Sequence, residues 1–92
     1  MVEFPIQAVI ATRPFLTEQK MQGIERRNSQ EYPHIISVHN QGFVIDGHHK
    51  IRRALDSGKK SAYSKVLLST NELLANYLYR ISHGYIQNLQ IR

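Results

Sequence analysis

With 92 residues and no cysteine, the chain has room for one small domain and no route to a disulfide, a thiolate metal site or thiol catalysis. Apolar residues make up 41% of it, enough for a core, although a domain of this length buries a modest share of its surface and is only marginally stable. The formal net charge of +5 either serves solubility alone or points to an anionic partner, nucleic acid or nucleotide phosphate.

The opening Met1-Val2-Glu3-Phe4-Pro5 has neither a basic leader nor an apolar stretch long enough to cross a bilayer, so the expectation is a cytoplasmic protein that makes no membrane contact. Phe4, Ile6 and Val9-Ile10-Ala11 read as a short strand or extended entry, broken by Pro14. Thr17 is placed as the N-cap of a helix through about residue 29, with Leu16 and Met21 as a hydrophobic staple. Its apolar face is thin, mainly Met21 and Ile24, and Gly23 weakens it. After Pro33, Ile35–His39 and Phe43–Ile45 predict a hairpin, joined by Asn40-Gln41-Gly42 with the glycine supplying positive φ.

Gly47 then opens a helix whose apolar face is Ile51, Ala54 and Leu55 and whose stop is Gly58. Ala62–Leu68 returns as a strand, expected to pair parallel to Phe43–Ile45 through a right-handed crossover. Ser69 and Glu72 have the spacing of a capping box. They precede a stripe of Leu73, Leu74, Tyr77, Leu78 and Ile81, expected to be buried against the sheet or across a homodimer contact, and Gly84 is the expected stop. An edge strand after Tyr85 completes the prediction. The fold class is α/β (α+β), a small mixed sheet with flanking helices. Residues 1–92 form one domain, with 69–92 as its C-terminal helix and tail.

The chemistry concentrates in Asp46-Gly47-His48-His49-Lys50. The first turn of a helix has four backbone N–H groups without internal partners, at the positive end of the macrodipole. Gly47 lets the backbone approach a phosphate, and His48, His49 and Lys50 can donate to its oxygens. Arg52, one turn above His48, either reaches over the same site or pairs with Asp56 at i+4. Asp46 and Glu18 are the candidate bases; Asp46 equally suits capping its own helix. Each residue also has a plain structural role open to it: Gly47 as a turn glycine, His48 as a packing histidine, Arg53 as a solvated charge.

Val44-Ile45-Asp46-Gly47-His48-His49-Lys50 through Ala54, closing with Leu55-Asp56-Ser57-Gly58, resembles the Gly-x-His-Arg or Gly-x-Arg-Arg signature of the ParB/sulfiredoxin superfamily. The flanking strands ending at Val38 and Leu68 suit the same layout, so the resemblance is carried by residues 35–68. It implies a fold in which this helix start holds nucleotide phosphates, with ATP or CTP as ligand and Mg²⁺ carried on the phosphates. Some relatives carry a nuclease label. Gly47 matches the phosphate-loop glycine and His49 the histidine of the signature. Lys50 replaces the usual arginine, keeping the charge but losing the bidentate fork. His48 stands where sulfiredoxins have their catalytic cysteine, so sulfiredoxin chemistry is excluded. The helix-turn-helix that follows in partition proteins has no counterpart in one helix and a short tail.

A metal site is not expected: adjacent His48 and His49 diverge by about 100° on a helix, and no H-x-x-x-H spacing brings in His34, His39 or His83. The pairs Arg26-Arg27, Arg52-Arg53 and Lys59-Lys60 are either a solvated surface or a basic face for DNA or other nucleic acid. Tyr63, Tyr77, Tyr79 and Tyr85 can stack bases but are better explained as packing. Three functions follow: a nucleotide-phosphate-binding domain with or without NTPase or phosphotransferase activity, a nucleic-acid-associated factor or nuclease, and a regulatory or oligomerising module.

Overall fold

The computed structural model describes residues 1–26 and 32–92. Among these residues five strands form one mixed sheet: β1 (Val2–Pro5), β2 (Val9–Ala11), β3 (His34–Val38), β4 (Gln41–Asp46) and β5 (Ser61–Leu68), in the order β1-β5-β3-β4-β2. Among the described residues three α-helices flank it: α1 (Glu18–Arg26), α2 (His48–Asp56) and α3 (Glu72–Ile81). The expected run of the first helix to residue 29, the packing of Ile24 and the Arg26-Arg27 pair lie outside the described residues.

The α2 helix begins directly after Gly47, as the sequence predicts, and ends in a Schellman motif. Gly58 has φ +86°, its N–H donates to Leu55 O at 2.9 Å, and Lys59 N–H donates to Ala54 O at 3.0 Å. The return strand β5 also forms, but its partner differs from expectation. It pairs parallel with β3, Ile35 opposite Val66 and Ile36 opposite Leu67, and does not pair with β4. The outer edge of β4 is taken by β2, which runs parallel to it, and its inner edge by β3. No edge of β4 is left for a returning strand.

The β3–β4 turn is also one step away from its predicted place. The central residues are His39 and Asn40, both with positive φ (52° and 62°), and Val38 pairs with Gln41, as a two-residue turn requires. Gly42 lies inside β4. A Cβ there would fall 2.3 Å from Cζ of Phe4, so this glycine makes room for an aromatic ring. It is a packing glycine.

Strand alternation divides the core between two faces. On one face α1 and α2 enclose Val9, Ala11, Leu16, Met21, Ile35, Val44 and Ile51. On the other, α3 lays Ala75 and Leu78 over Ile10, Ile36, Val38 and Phe43, and Tyr79 meets Phe43 edge-on with ring centroids 5.3 Å apart. The buried side of α3 is thus Leu74, Ala75, Leu78 and Ile81, whereas Leu73 is 81% exposed and Tyr77 56%. The predicted stripe is centred on the large residues. The fully buried positions of α3 are Ala75 and Leu78, so its core-facing side is centred on a small residue and a large one.

Capping of α3 differs too. Asn71 is the N-cap, its Oδ1 accepting from Leu74 N–H at 3.1 Å, while Ser69 Oγ accepts from Asn71 N–H just before the helix. Glu72 turns to His39 Nε2 at 2.9 Å. The helix stops at Ile81, before Gly84, because Ser82 is already extended (ψ 145°).

Beyond α3 the chain makes no regular edge strand. A 3-10 turn over Ile86–Asn88 buries Ile86 and Leu89 in the α2 side of the core. Isolated bridges pair Ile10 with Tyr85 and Leu16 with Ile91. No helix among the described residues is long and apolar enough to cross a membrane.

Leu78 and Leu73 test this seating of α3 directly. Leu78→Ala should cost about 2–5 kcal/mol by deletion from a closed core, while Leu73→Ala should stay within about 0.5 kcal/mol. Urea midpoints of the two variants measure the difference; equal losses would mean that α3 is rotated about its axis.

Candidate functional site at the start of helix α2

Gly47 is the N-cap of α2 and adopts φ +90°, so the N-cap residue itself supplies no side-chain acceptor to the first-turn N–H groups. The same glycine permits a close backbone approach, to Pro33: a Cβ would sit 2.8 Å from Pro33 Cα. Any larger residue would therefore disturb both the turn and its neighbour.

The two histidines that follow are buried and face the segment between β2 and α1. His48 Nε2 accepts from Thr12 N–H at 3.0 Å, and His49 Nε2 accepts from Thr17 N–H at 3.2 Å. A backbone N–H only donates. Both Nε2 atoms must therefore be unprotonated, which places each imidazole proton on Nδ1. Thr12 Oγ1 donates in turn to Val44 O at 2.7 Å, joining the segment to β4. The histidines expected to donate to phosphate thus spend Nε2 as acceptors that hold residues 12–17 against the helix start.

Electrostatics agree with neutral rings. Burial, aided by the Arg13 guanidinium, lowers the His48 pKa to about 4; His49 and Asp46 act more weakly, in opposite senses. Burial, then Arg13 and Lys20, lower that of His49. Arg13 and Lys20 therefore act electrostatically on the first turn of α2. Sequence reasoning omits both from the site, because they come from before α1 and from within it, far upstream of Gly47, and no local pattern links them to that glycine.

Arg52 takes the i+4 alternative and adds to it. Its Nε donates to Asp56 Oδ1 at 3.2 Å, and its Nη1 donates to Ile86 O at 3.1 Å and Leu89 O at 2.6 Å. It therefore ties down the C-terminal tail, and is not an arm over the helix start. Lys50 lies on the first turn, half-buried. Asp46 is exposed at the end of β4, near enough to His48 to favour its charged form. Glu18 opens α1 with its side chain in solvent, while its N–H donates to Arg92 O at 2.7 Å. Among the described residues, no three His, Cys, Asp or Glu side chains gather as metal ligands.

The acceptor role of the histidines sets a pH dependence. An unfolded histidine titrates near 6.5 and folded His48 near 4, so between those values the unfolded chain holds more protons and acid favours unfolding. The stabilisation is complete above about pH 6.5 and is lost as pH falls toward about 4, a loss on the order of 3 kcal/mol. Urea unfolding across this range should show the fall. His48→Gln should be less stable at neutral pH but flatter toward acid, and an unchanged slope would remove His48 as its source.

No protein-family model matches the chain, and no curated protein does. Among solved structures it is similar to the crystal structure of sulfiredoxin from Arabidopsis thaliana. The TM-score is 0.58 and the identity 22%, covering 84% of this chain and 94% of that one. Likeness at this identity speaks for architecture, and function must be argued from the site. With its five-stranded mixed sheet and the glycine-started helix between β4 and β5, the chain has a sulfiredoxin-like fold.

Proposed function

We propose that the chain binds the phosphates of a nucleotide at the N-terminus of α2, with a nucleoside triphosphate such as ATP or CTP as the ligand class. The observation that supports this reading is a glycine-opened helix start against which His48 and His49 hold the segment that carries Arg13, with the positive charge of Arg13 and Lys20 acting on its first turn. Oriented N–H groups and the positive end of the macrodipole favour an anion there. The fixed cations Arg13, Lys20 and Lys50 add charge-assisted hydrogen bonds. The two neutral histidines then serve by fixing the 12–17 segment, and with it Arg13, against the site. Asp46 is the carboxylate beside it, suited to a Mg²⁺ carried on the phosphates or to a general base for NTPase or phosphotransferase chemistry. Thiol chemistry plays no part, because the chain has no cysteine.

Titration calorimetry with ATP and CTP, with and without Mg²⁺, tests the proposal. Arg13→Ala and Lys50→Ala should each weaken binding by about 1.5–3 kcal/mol if each cation makes one charge-assisted hydrogen bond. Lys59→Ala, at the far end of α2, should change it little. Substitution of Gly47 is no test, because the collision with Pro33 would disturb the fold. Equal affinity in wild type, Arg13→Ala and Lys50→Ala would contradict the assignment.

A further inference from the structure

The α3 helix covers only part of its face of the sheet. It closes over Ile10, Ile36, Val38 and Phe43 and leaves the β5 side open. Alternation along β5 puts Ser64 and Val66 toward the α1–α2 core and Tyr63, Lys65 and Leu67 on the open face. Tyr63 is 47% exposed and Leu67 61%. Tyr32 stands edge-on to Tyr63, with ring centroids 5.7 Å apart. Beside them is a shallow cleft of about 200 Å³ whose lining includes His34, Ile36, Ile45, Lys65 and Leu67. Exposed aromatic and aliphatic groups on a sheet face are a cost unless something covers them.

We infer that this open face is a platform for single-stranded nucleic acid, separate from the proposed phosphate site on the opposite face of the sheet. Charge selects the occupant. Lys65 lies within the patch, and Lys59 and Lys60 are exposed in the turn that enters β5. Glu3, an acid on this face, accepts a hydrogen bond from Ser61 Oγ. The chain as a whole carries +5. A second copy seated on the face would bring the same cations together, whereas a polyanion is attracted by them. Bases stack on exposed aromatic rings of a sheet with little regard to sequence, and lysines beside the rings follow the backbone. A duplex keeps its bases paired and inaccessible to Tyr63 and Tyr32.

Fluorescence anisotropy with a labelled oligothymidine of about 15 nucleotides and a duplex of equal length, each at two salt concentrations, tests the inference. The single strand should bind more tightly than the duplex. Tyr63→Ala should weaken it about fivefold or more while Tyr63→Phe, which keeps the ring, binds as wild type. Lys65→Ala should lower the slope of log affinity against log salt by about 0.7, and Arg13→Ala should leave binding unchanged. Equal affinity for duplex, or wild-type affinity in Tyr63→Ala, would overturn the inference. So would a dimer in light scattering that Leu67→Glu dissociates, because the face would then be an interface between copies. Loss of binding in Arg13→Ala alone would place the contact at α2 and overturn it equally, leaving the phosphate-site proposal to its own titration.

Discussion

Two hydrogen bonds accepted by imidazole nitrogens hold the candidate site together. Thr12 and Thr17 sit at the two ends of the segment from β2 to α1, and their N–H groups end on His48 and His49 in the first turn of α2. A buried backbone N–H needs an acceptor, and losing one costs about 1–3 kcal/mol. Two adjacent helix residues supply both acceptors. Burial and the nearby Arg13 hold the rings in the neutral form that this role requires. Acceptor and cation are thus mutually consistent, since the charge of Arg13 disfavours the protonation that would break the bonds.

The C-terminal tail closes the same segment from outside. Leu16 N–H donates to Gln90 O, Arg92 N–H to Leu16 O, and Glu18 N–H to Arg92 O. His83 N–H donates to Ala11 O, and Ala11 N–H to Gly84 O. Arg52 fixes the tail to α2 through two carbonyls, satisfying polar groups that Ile86 and Leu89 carry with them into the core. Helix start, segment 12–17 and tail therefore form one hydrogen-bonded unit built from three distant parts of the chain. The start of α2 is thereby tied to its surround by hydrogen bonds from both the 12–17 segment and the tail.

Local signals are the legible ones. Gly47 and Gly58 bracket α2 because positive φ at a helix boundary is a local requirement, and the apolar run at Phe43–Ile45 marks a strand in any context. Where expectation and fold differ, a contact distant in sequence decides the matter. Gly42 looks like a turn glycine beside Asn40, yet it is needed by Phe4, near the start of the chain. The partner of β5 depends on β2 occupying the outer edge of β4. Arg52 looks able to reach a ligand because the carbonyls of Ile86 and Leu89 that hold it lie far along the chain. Of the candidate site, the helix start and the place of Lys50 on its first turn can be read from the sequence. The hydrogen-bonding roles of the two histidines and the presence of Arg13 and Lys20 cannot, since each rests on a partner well separated from it in sequence.

The protonation state of the two imidazoles is the sharpest measure of whether these hydrogen bonds form. Long-range ¹H–¹⁵N correlation spectra of the wild-type chain at neutral pH distinguish the Nδ1–H tautomer from the Nε2–H tautomer and from imidazolium. Both His48 and His49 should be neutral, with the proton on Nδ1 and a bare Nε2. A proton on Nε2 of either ring, or a charged imidazolium at neutral pH, would contradict this, because that nitrogen could then no longer accept from Thr12 or Thr17.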